Sequence, residues 1–271
     1  MRDRTGQVVI ITGGASGIGK AIAREFGQRG GILLLADIDQ TALNQTVAEF
    51  NSLGFKSEGY KLDVTDAKAF ENLINNTKHK YSRIDFLFNN AGINVTALFP
   101  DTTLDDWDRQ IDVNLRGVIH GTKAVYPIMI EQGFGHIINT ASITGLVPLV
   151  SVSAYSATKH AVVGFSVSLR AEAAPQGVKV SVLCPGLTAT PLLKNSTYRG
   201  LEADKVLSLP GTKLMSVDLL AQRAYKDISK NKNIIVIPGI AKFLWAAYRI
   251  TAQHWSLMMR WHIKKMRMGH G

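Results

Sequence analysis

Tyr155 and Lys159 stand four residues apart in the stretch SAYSATKHAVVGF, residues 153 to 165, and Lys159 is the only Asp, Glu, Lys or Arg between Glu131 and Arg170. A lone ammonium in an apolar, small-residue segment is costly unless something there uses its charge. On a helix the two side chains share a face, one turn apart. A phenol with an ordinary pKa near ~10 is a poor base at neutral pH, and a neighbouring cation stabilises its phenolate. Lowering that pKa by about three units takes about 4 kcal/mol, within reach of a close cation in a partly dry site. The expected chemistry is removal of an alcohol proton by Tyr155 as hydride leaves the same carbon or, in reverse, protonation of a carbonyl oxygen.

Three more polar groups sit in apolar settings. Ser142 follows the strand-like run GHIINTA, where its hydroxyl could hold a substrate oxygen beside Tyr155. Asn114 falls on an expected inward stripe with Trp107, Ile111, Leu115 and Val118, so its amide needs buried partners, a water or a backbone carbonyl. NNAG, residues 89 to 92, ends another strand-like run with two amides and a glycine.

A second constellation lies near the N-terminus. VVIIT runs straight into GGASGIGKAIAREFG, glycines followed at once by helical periodicity. Gly13 permits a tight turn, Gly17 and Gly19 let backbone approach a pyrophosphate, and the helix start offers free N–H groups to it. Asp37 ends the next apolar run eighteen residues after Gly19, where an acid accepts hydrogen bonds from an adenosine ribose and repels a 2′-phosphate. Ser16 occupies the turn, and Ile38 and Asp39 follow Asp37, so no cation stands by to receive such a phosphate. NAD is therefore expected in preference to NADP.

The elements that must position these groups alternate. The strand-like runs are residues 8–12, 32–37, 59–64, 84–90, 135–141, 178–185 and 233–238, separated by segments with helical apolar spacing. That rhythm implies an α/β, doubly wound Rossmann architecture: a mostly parallel seven-stranded sheet with helices on both faces, in a single domain. The dehydrogenase-like domain is expected over residues 1–239, with a C-terminal helical extension over 240–271. Residues 188–215 are longer than a routine connection and make a candidate substrate lid.

Composition excludes several classes. With 271 residues, 46% of them apolar, the chain can bury one large core. Its single cysteine, Cys184, can form neither an intrachain disulfide nor a cysteine metal cluster, and no metal site is expected. The apolar run after the N-terminal charges is too short for a secretory signal, so a cytoplasmic chain is expected. The net charge of +10 is local: eight Lys or Arg and no acid follow Asp227, leaving +2 for residues 1–227. A basic tail of this kind does not argue for nucleic-acid binding.

Taken together and in order, TGGASGIG (12–19), Asp37, DV (63–64), NNAG (89–92), Asn114, Ser142, YSATK (155–159) and PGLTAT (185–190) resemble the short-chain dehydrogenase/reductase family, in its NAD-binding branch with the shorter glycine motif. The resemblance spans about residues 5–238. It implies a catalytic tetrad of Asn114, Ser142, Tyr155 and Lys159. In it Tyr155 would be the acid/base, Ser142 would orient the carbonyl, Lys159 would also hold the nicotinamide ribose, and Asn114 would anchor a proton-relay water. It further implies cofactor contacts from Gly13, Ser16, Gly17, Ile18, Gly19 and Asp37. Asp63 and Val64 would meet the adenine, Asn90 and Gly92 would wall the cleft, and Pro185, Gly186, Leu187, Thr188 and Thr190 would hold the carboxamide end. A homodimer or homotetramer is implied as well, joined through helices around 103–131 and 152–173.

By their place after these motifs, Ile93, Ile143, Leu146, Val147, Leu149, Leu192 and Leu193 are expected to line the substrate side. No Lys or Arg stands among them to pair with a carboxylate or phosphate. An apolar alcohol or ketone is expected, such as a hydroxysteroid, a retinoid-like or fatty alcohol. Lys194, Arg199 and Lys213 in the lid are the cations that could turn inward. The tail places Leu244, Tyr248, Thr251, Trp255, Met258 and His262 near helical spacing, with cations elsewhere. It reads either as a basic amphipathic helix on an anionic membrane or as a helix packed on its own or a partner subunit. Rival readings of the whole chain are an NAD-binding sensor without turnover and a scaffold acting through the basic tail.

Overall fold

A computed structural model describes residues 3–203 and 214–267. Its elements run β1 (Val8–Thr12), α1 (Gly17–Gly27), β2 (Ile32–Asp37), α2 (Gln40–Ser52), β3 (Lys56–Lys61), α3 (Ala67–Tyr81), β4 (Phe86–Asn89), β5 (Val95–Ala97) and α4 (Leu104–Ile111). There follow α5 (Gly117–Gln132), β6 (Gly135–Thr140), α6 (Ser153–Ala173), β7 (Val178–Pro185), α7 (Pro191–Lys194), β8 (Thr197–Arg199), a helix α8 (Val217–Ser229), β9 (Ile234–Ile237) and a C-terminal helix α9 (Gly239–Arg267).

Seven strands form one parallel sheet in the order β3-β2-β1-β4-β6-β7-β9. A strand covered on both faces is mostly apolar, and all five residues of β1, four of them apolar, are buried. Val9 and Ile11 join Phe26 of α1, Phe50 of α2 and Leu220 of α8 on one face. Val8 and Ile10 join Phe70 of α3, Val125 of α5 and Leu169 of α6 on the other. The order reverses between β1 and β4, so the crevice for a ligand lies beyond their carboxyl ends, where the glycine turn and NNAG sit.

Three details differ from the sequence expectation. The third strand lies at Lys56–Lys61 instead of 59–64, because its mixed exposure lacks the apolar run that would mark its edges. The helix drawn through Asn114 is not continuous: Asp112–Arg116 is a π-helical turn between α4 and α5. Such a bulge rotates the helix face, and the residues buried on α4 are Asp106 and Gln110, with Trp107 and Ile111 only partly covered. The candidate lid contains α7 and β8, and β8 pairs in parallel with β5 as a separate two-stranded ladder. Residues 204–213, which include Lys213, lie outside the described residues.

The tail packs on its own chain. Trp255 is 6% exposed, donates its indole N–H to the Pro148 carbonyl at 2.8 Å, and meets Tyr248 edge-on at 5.3 Å. Leu244, Trp245 and Tyr248 pack with it against Ile143, Leu146 and Val147. The stripe that the sequence offered to a membrane is therefore, at Leu244, Tyr248 and Trp255, the one turned inward. The side chains of Met258 and His262 lie outside the described residues.

Candidate active site

α6 begins after Val152 and carries both Tyr155 and Lys159 into a cavity of about 350 Å³ at the carboxyl end of the sheet. Lys159 is 2% exposed and donates its Nζ to the Thr140 carbonyl, the last of β6, at 3.0 Å. The ammonium lies 5.5 Å from the centroid of the Tyr155 ring. Ser142 reaches the same place because the turn at Ile143–Gly145 presses on α6: a Cβ at Gly145 would come within 2.5 Å of the Lys159 carbonyl.

Asn114 is fully buried on the π-helical turn. Its Oδ1 accepts from Ile93 N at 2.8 Å and its Nδ2 donates to Ile93 O at 2.9 Å, clamping the backbone that leads into β5. Gly92 admits this approach, since a Cβ there would stand 3.0 Å from Asn114 Oδ1 and 3.5 Å from Lys159 Nζ. The four expected side chains therefore meet around one point, with Asn114 behind the wall and the other three lining it.

The electrostatics correct the expectation about the phenol. Burial pushes Tyr155 up to about 12, and the hydrogen bond from Ser142 only partly opposes it. Burial likewise pulls Lys159 down to about 8, with nearby Cys184 opposing. Lys159 is not among the groups that lower Tyr155, because its Nζ is engaged with the Thr140 carbonyl and faces the ring side of the residue. At neutral pH the site thus holds a protonated phenol and a charged ammonium.

On the nucleotide side, Gly13 and Gly17 adopt positive φ, 63° and 50°. Gly13, Ser16, Gly17 and Ile18 line the cleft opposite Pro185, Gly186, Leu187, Thr188 and Thr190. Gly19 does not line it: a Cβ there would stand 2.1 Å from the Gly13 carbonyl, so this glycine lets α1 pack onto the turn. Asp37 accepts from Ala15 N at 3.0 Å and from Asp39 N at 3.1 Å, which fixes its carboxylate beside the glycine turn. Lys20 and Arg24 on α1 are both paired with Glu49 instead. Asp63 and Val64 follow β3 beside Asp37, with Leu62 N donating to the Asp37 carbonyl at 2.9 Å. Asn90 ties β1 to β6 through Thr12 and Thr140. A glycine-lined cradle, free N–H groups and an acid at the end of β2 suit a dinucleotide.

On the substrate side, Ile143, Leu149, Leu192 and Leu193 line the cavity as expected. Ile93 does not line it, although Asn114 holds its backbone beside the site. Leu146 and Val147 are core residues against α9. Sequence reasoning missed Asn94, Thr96, Ser151 and Tyr198, which line the same cavity; three of them come from the short β5–β8 ladder and its approach, whose pairing has no local signal. Among the described residues the only charged one lining the cavity is Lys159.

With this geometry in hand, comparison with known proteins is decisive: the model of the short chain dehydrogenases matches residues 7–199. The chain belongs to the short chain dehydrogenase family. Among its relatives, an uncharacterised oxidoreductase, YxjF of Bacillus subtilis, is 36% identical over 229 residues, covering 80% of this chain and 89% of that one. The 3-oxoacyl-(acyl-carrier-protein) reductase FabG of Thermotoga maritima is 38% identical over 197 residues, 73% of this chain and 80% of its own length. A short chain dehydrogenase/reductase from Burkholderia phymatum, solved in complex with NAD, superposes with a TM-score of 0.83 at 29% identity over 95% of this chain and 97% of its own. This short chain dehydrogenase is thus an oxidoreductase by family, with the seven-stranded Rossmann-like sheet of its relatives.

Proposed function

We propose that this short chain dehydrogenase interconverts an alcohol and a carbonyl on a largely apolar substrate, using NAD(H). The observation that carries the proposal is the convergence of Ser142, Tyr155 and Lys159 on one cavity, with Asn114 clamped behind them. A bound nicotinamide would supply or accept the hydride. In the reductive direction Tyr155, protonated at neutral pH, donates its proton to the substrate oxygen while Ser142 holds that oxygen in place. Ser142 is the group that favours the phenolate that remains, and the N–H groups of Lys159 are suited to ribose hydroxyls. In the oxidative direction the same groups act in reverse.

The preference for NAD over NADP rests on Asp37, whose fixed carboxylate would repel a 2′-phosphate, and on the commitment of Lys20 and Arg24 to Glu49. The preference for an apolar substrate rests on Ile143, Leu149, Val152, Leu192 and Leu193, with no cation but Lys159 among the described residues. The FabG likeness adds acyl ketones to the hydroxysteroid, retinoid-like and fatty-alcohol classes as substrates to assay. A lone buried thiol at Cys184 suits a reducing, cytoplasmic setting. We also infer a homo-oligomer joined through α5 and α6.

The test is nicotinamide absorbance with purified protein, each nucleotide, and a panel running from short secondary alcohols and 3-oxoacyl thioesters to steroids and retinol. Turnover confined to bulky apolar substrates with NAD supports the proposal. Tight NADH binding with no turnover on any of them would favour the sensor reading instead.

A further inference from the structure

The face of α9 turned away from the protein is apolar too. Its inner side packs through Ala241, Leu244, Tyr248 and Trp255, yet Ile240, Phe243, Ile250 and Leu257 remain 71%, 72%, 86% and 56% exposed. At about 100° per residue Ile240, Phe243 and Ile250 fall on one side of the helix, away from the buried stripe, and Leu257 is exposed beyond a break at Thr251. The exposed cations Lys242, Arg249 and Arg260 run along the seam between the two faces. Single exposed leucines are ordinary on a protein surface. Three large apolar side chains on one helix face and a fourth beyond the break, bordered by cations, mark a surface that something covers.

Charge decides between the occupants. A second copy meeting this face through its own α9 would bring the same cations, in a stretch with no acid after Asp227, and like charges set against each other disfavour that pairing. Anionic headgroups over an acyl boundary offer the complement to both the cations and the apolar side chains. Among the described residues no helix is long and apolar enough to cross a membrane, which leaves a helix lying in the interface. We propose that the outer face of α9 docks on an anionic lipid surface, with Ile240, Phe243, Ile250 and Leu257 at the acyl boundary.

Docking there has a consequence for the catalytic cavity, resting on the reading of the chain as an oxidoreductase of apolar substrates. A second hollow, under α9, is lined by Pro148, Leu149, Tyr248, Ala252, Trp255 and Met259. Leu149 lines the catalytic cavity as well. Leu149 thus belongs to both walls, which sets the inner side of α9 next to the catalytic cavity.

The experiment is co-sedimentation of the full chain with vesicles of phosphatidylglycerol and phosphatidylcholine, or of phosphatidylcholine alone, together with light scattering of the free protein. The double variant Phe243→Ser/Ile250→Ser changes only exposed positions, and its melting temperature checks that the fold is kept. The wild type should sediment with the anionic vesicles and release as salt rises. The variant should bind about tenfold more weakly or worse. Equal binding by the variant, or no binding of the wild type to anionic vesicles, overturns the proposal. A mass that falls in the variant overturns it too, by assigning the face to a second copy. Sedimentation needs no turnover, so failure here leaves the oxidoreductase reading intact, and a silent enzyme that sediments leaves this one intact.

Discussion

Arg199 grips Asp106 with two parallel hydrogen bonds, Nε to Oδ2 at 2.7 Å and Nη2 to Oδ1 at 2.9 Å. The Arg199 guanidinium holds the buried Asp106 carboxyl down to about 2, helped by the backbone and hydroxyl of Thr103 at the start of α4. Arg199, which the sequence offered as a cation able to turn toward substrate, is thus engaged elsewhere. It ties β8, and with it the cavity residue Tyr198, to the helix that leads into the turn bearing Asn114.

Replacing Arg199 by Lys keeps the charge and removes the fork. A looser cavity wall should raise KM for the carbonyl substrate by about three- to tenfold, with kcat and NADH affinity nearly unchanged. Steady-state kinetics beside a fluorescence titration of NADH makes the comparison. An unchanged KM would mean that the β5–β8 ladder holds this wall without the ion pair.

Asp37→Asn keeps the shape of the side chain and an acceptor for Ala15 N while deleting the charge. The ratio of NADPH to NADH dissociation constants should fall by about tenfold, mostly through tighter NADPH. Titration of both nucleotides reads this directly, and a ratio that stays put would place the source of selectivity elsewhere.

How much of this was legible beforehand differs from element to element. The runs VVIIT, ILLLAD and VKVSVLCP coincide with β1, β2 and β7 to the residue, because strands buried on both faces read as mostly apolar runs. The four side chains that meet at the cavity were legible because an isolated charge, Lys159, and three polar groups, Asn114, Ser142 and Tyr155, stood out from apolar surroundings. The polar inner face of α4 was not, since Asp106 and Gln110 look like solvent residues until Arg199 and the Val95 N–H are seen to partner them from distant segments. The phenol's direction of shift was missed for a related reason: spacing reports that two side chains share a face, and it does not report that the ammonium is occupied by a carbonyl from β6.

His136, at the start of β6, is 4% exposed, bonded through Nε2 to Ser181 Oγ at 2.8 Å, and pulled down to about 3 by burial, with the cations Lys179, Arg170 and Arg4 adding to it. The unfolded chain takes up a proton near pH ~6.5 while the folded chain does not, so stability is lost as pH falls below that value. At pH 5 the loss should be about 2 kcal/mol relative to pH 7. Urea melts at both pH values, compared with His136→Gln, isolate the contribution; an equal acid loss in the variant would rule His136 out.

Lys159, lowered to about 8 by burial, should lose its charge within an accessible range. kcat/KM for NADH reports ionisations of the free enzyme, and it should decline above about pH 8 if the ammonium is what grips the ribose. A flat profile to pH 9.5 or so would show that nucleotide capture does not depend on that charge.

The role of Tyr155 is most exposed to a comparison of wild type with Tyr155→Phe, following hydride transfer from NADH to a bulky apolar ketone while NADH binding is titrated in parallel. Loss of the phenol's proton should reduce kcat by at least about a thousandfold with the nucleotide still bound at near wild-type affinity. A variant that turns over within about tenfold of the wild type would contradict the assignment of Tyr155 as acid and base, and with it the chemistry proposed for this cavity.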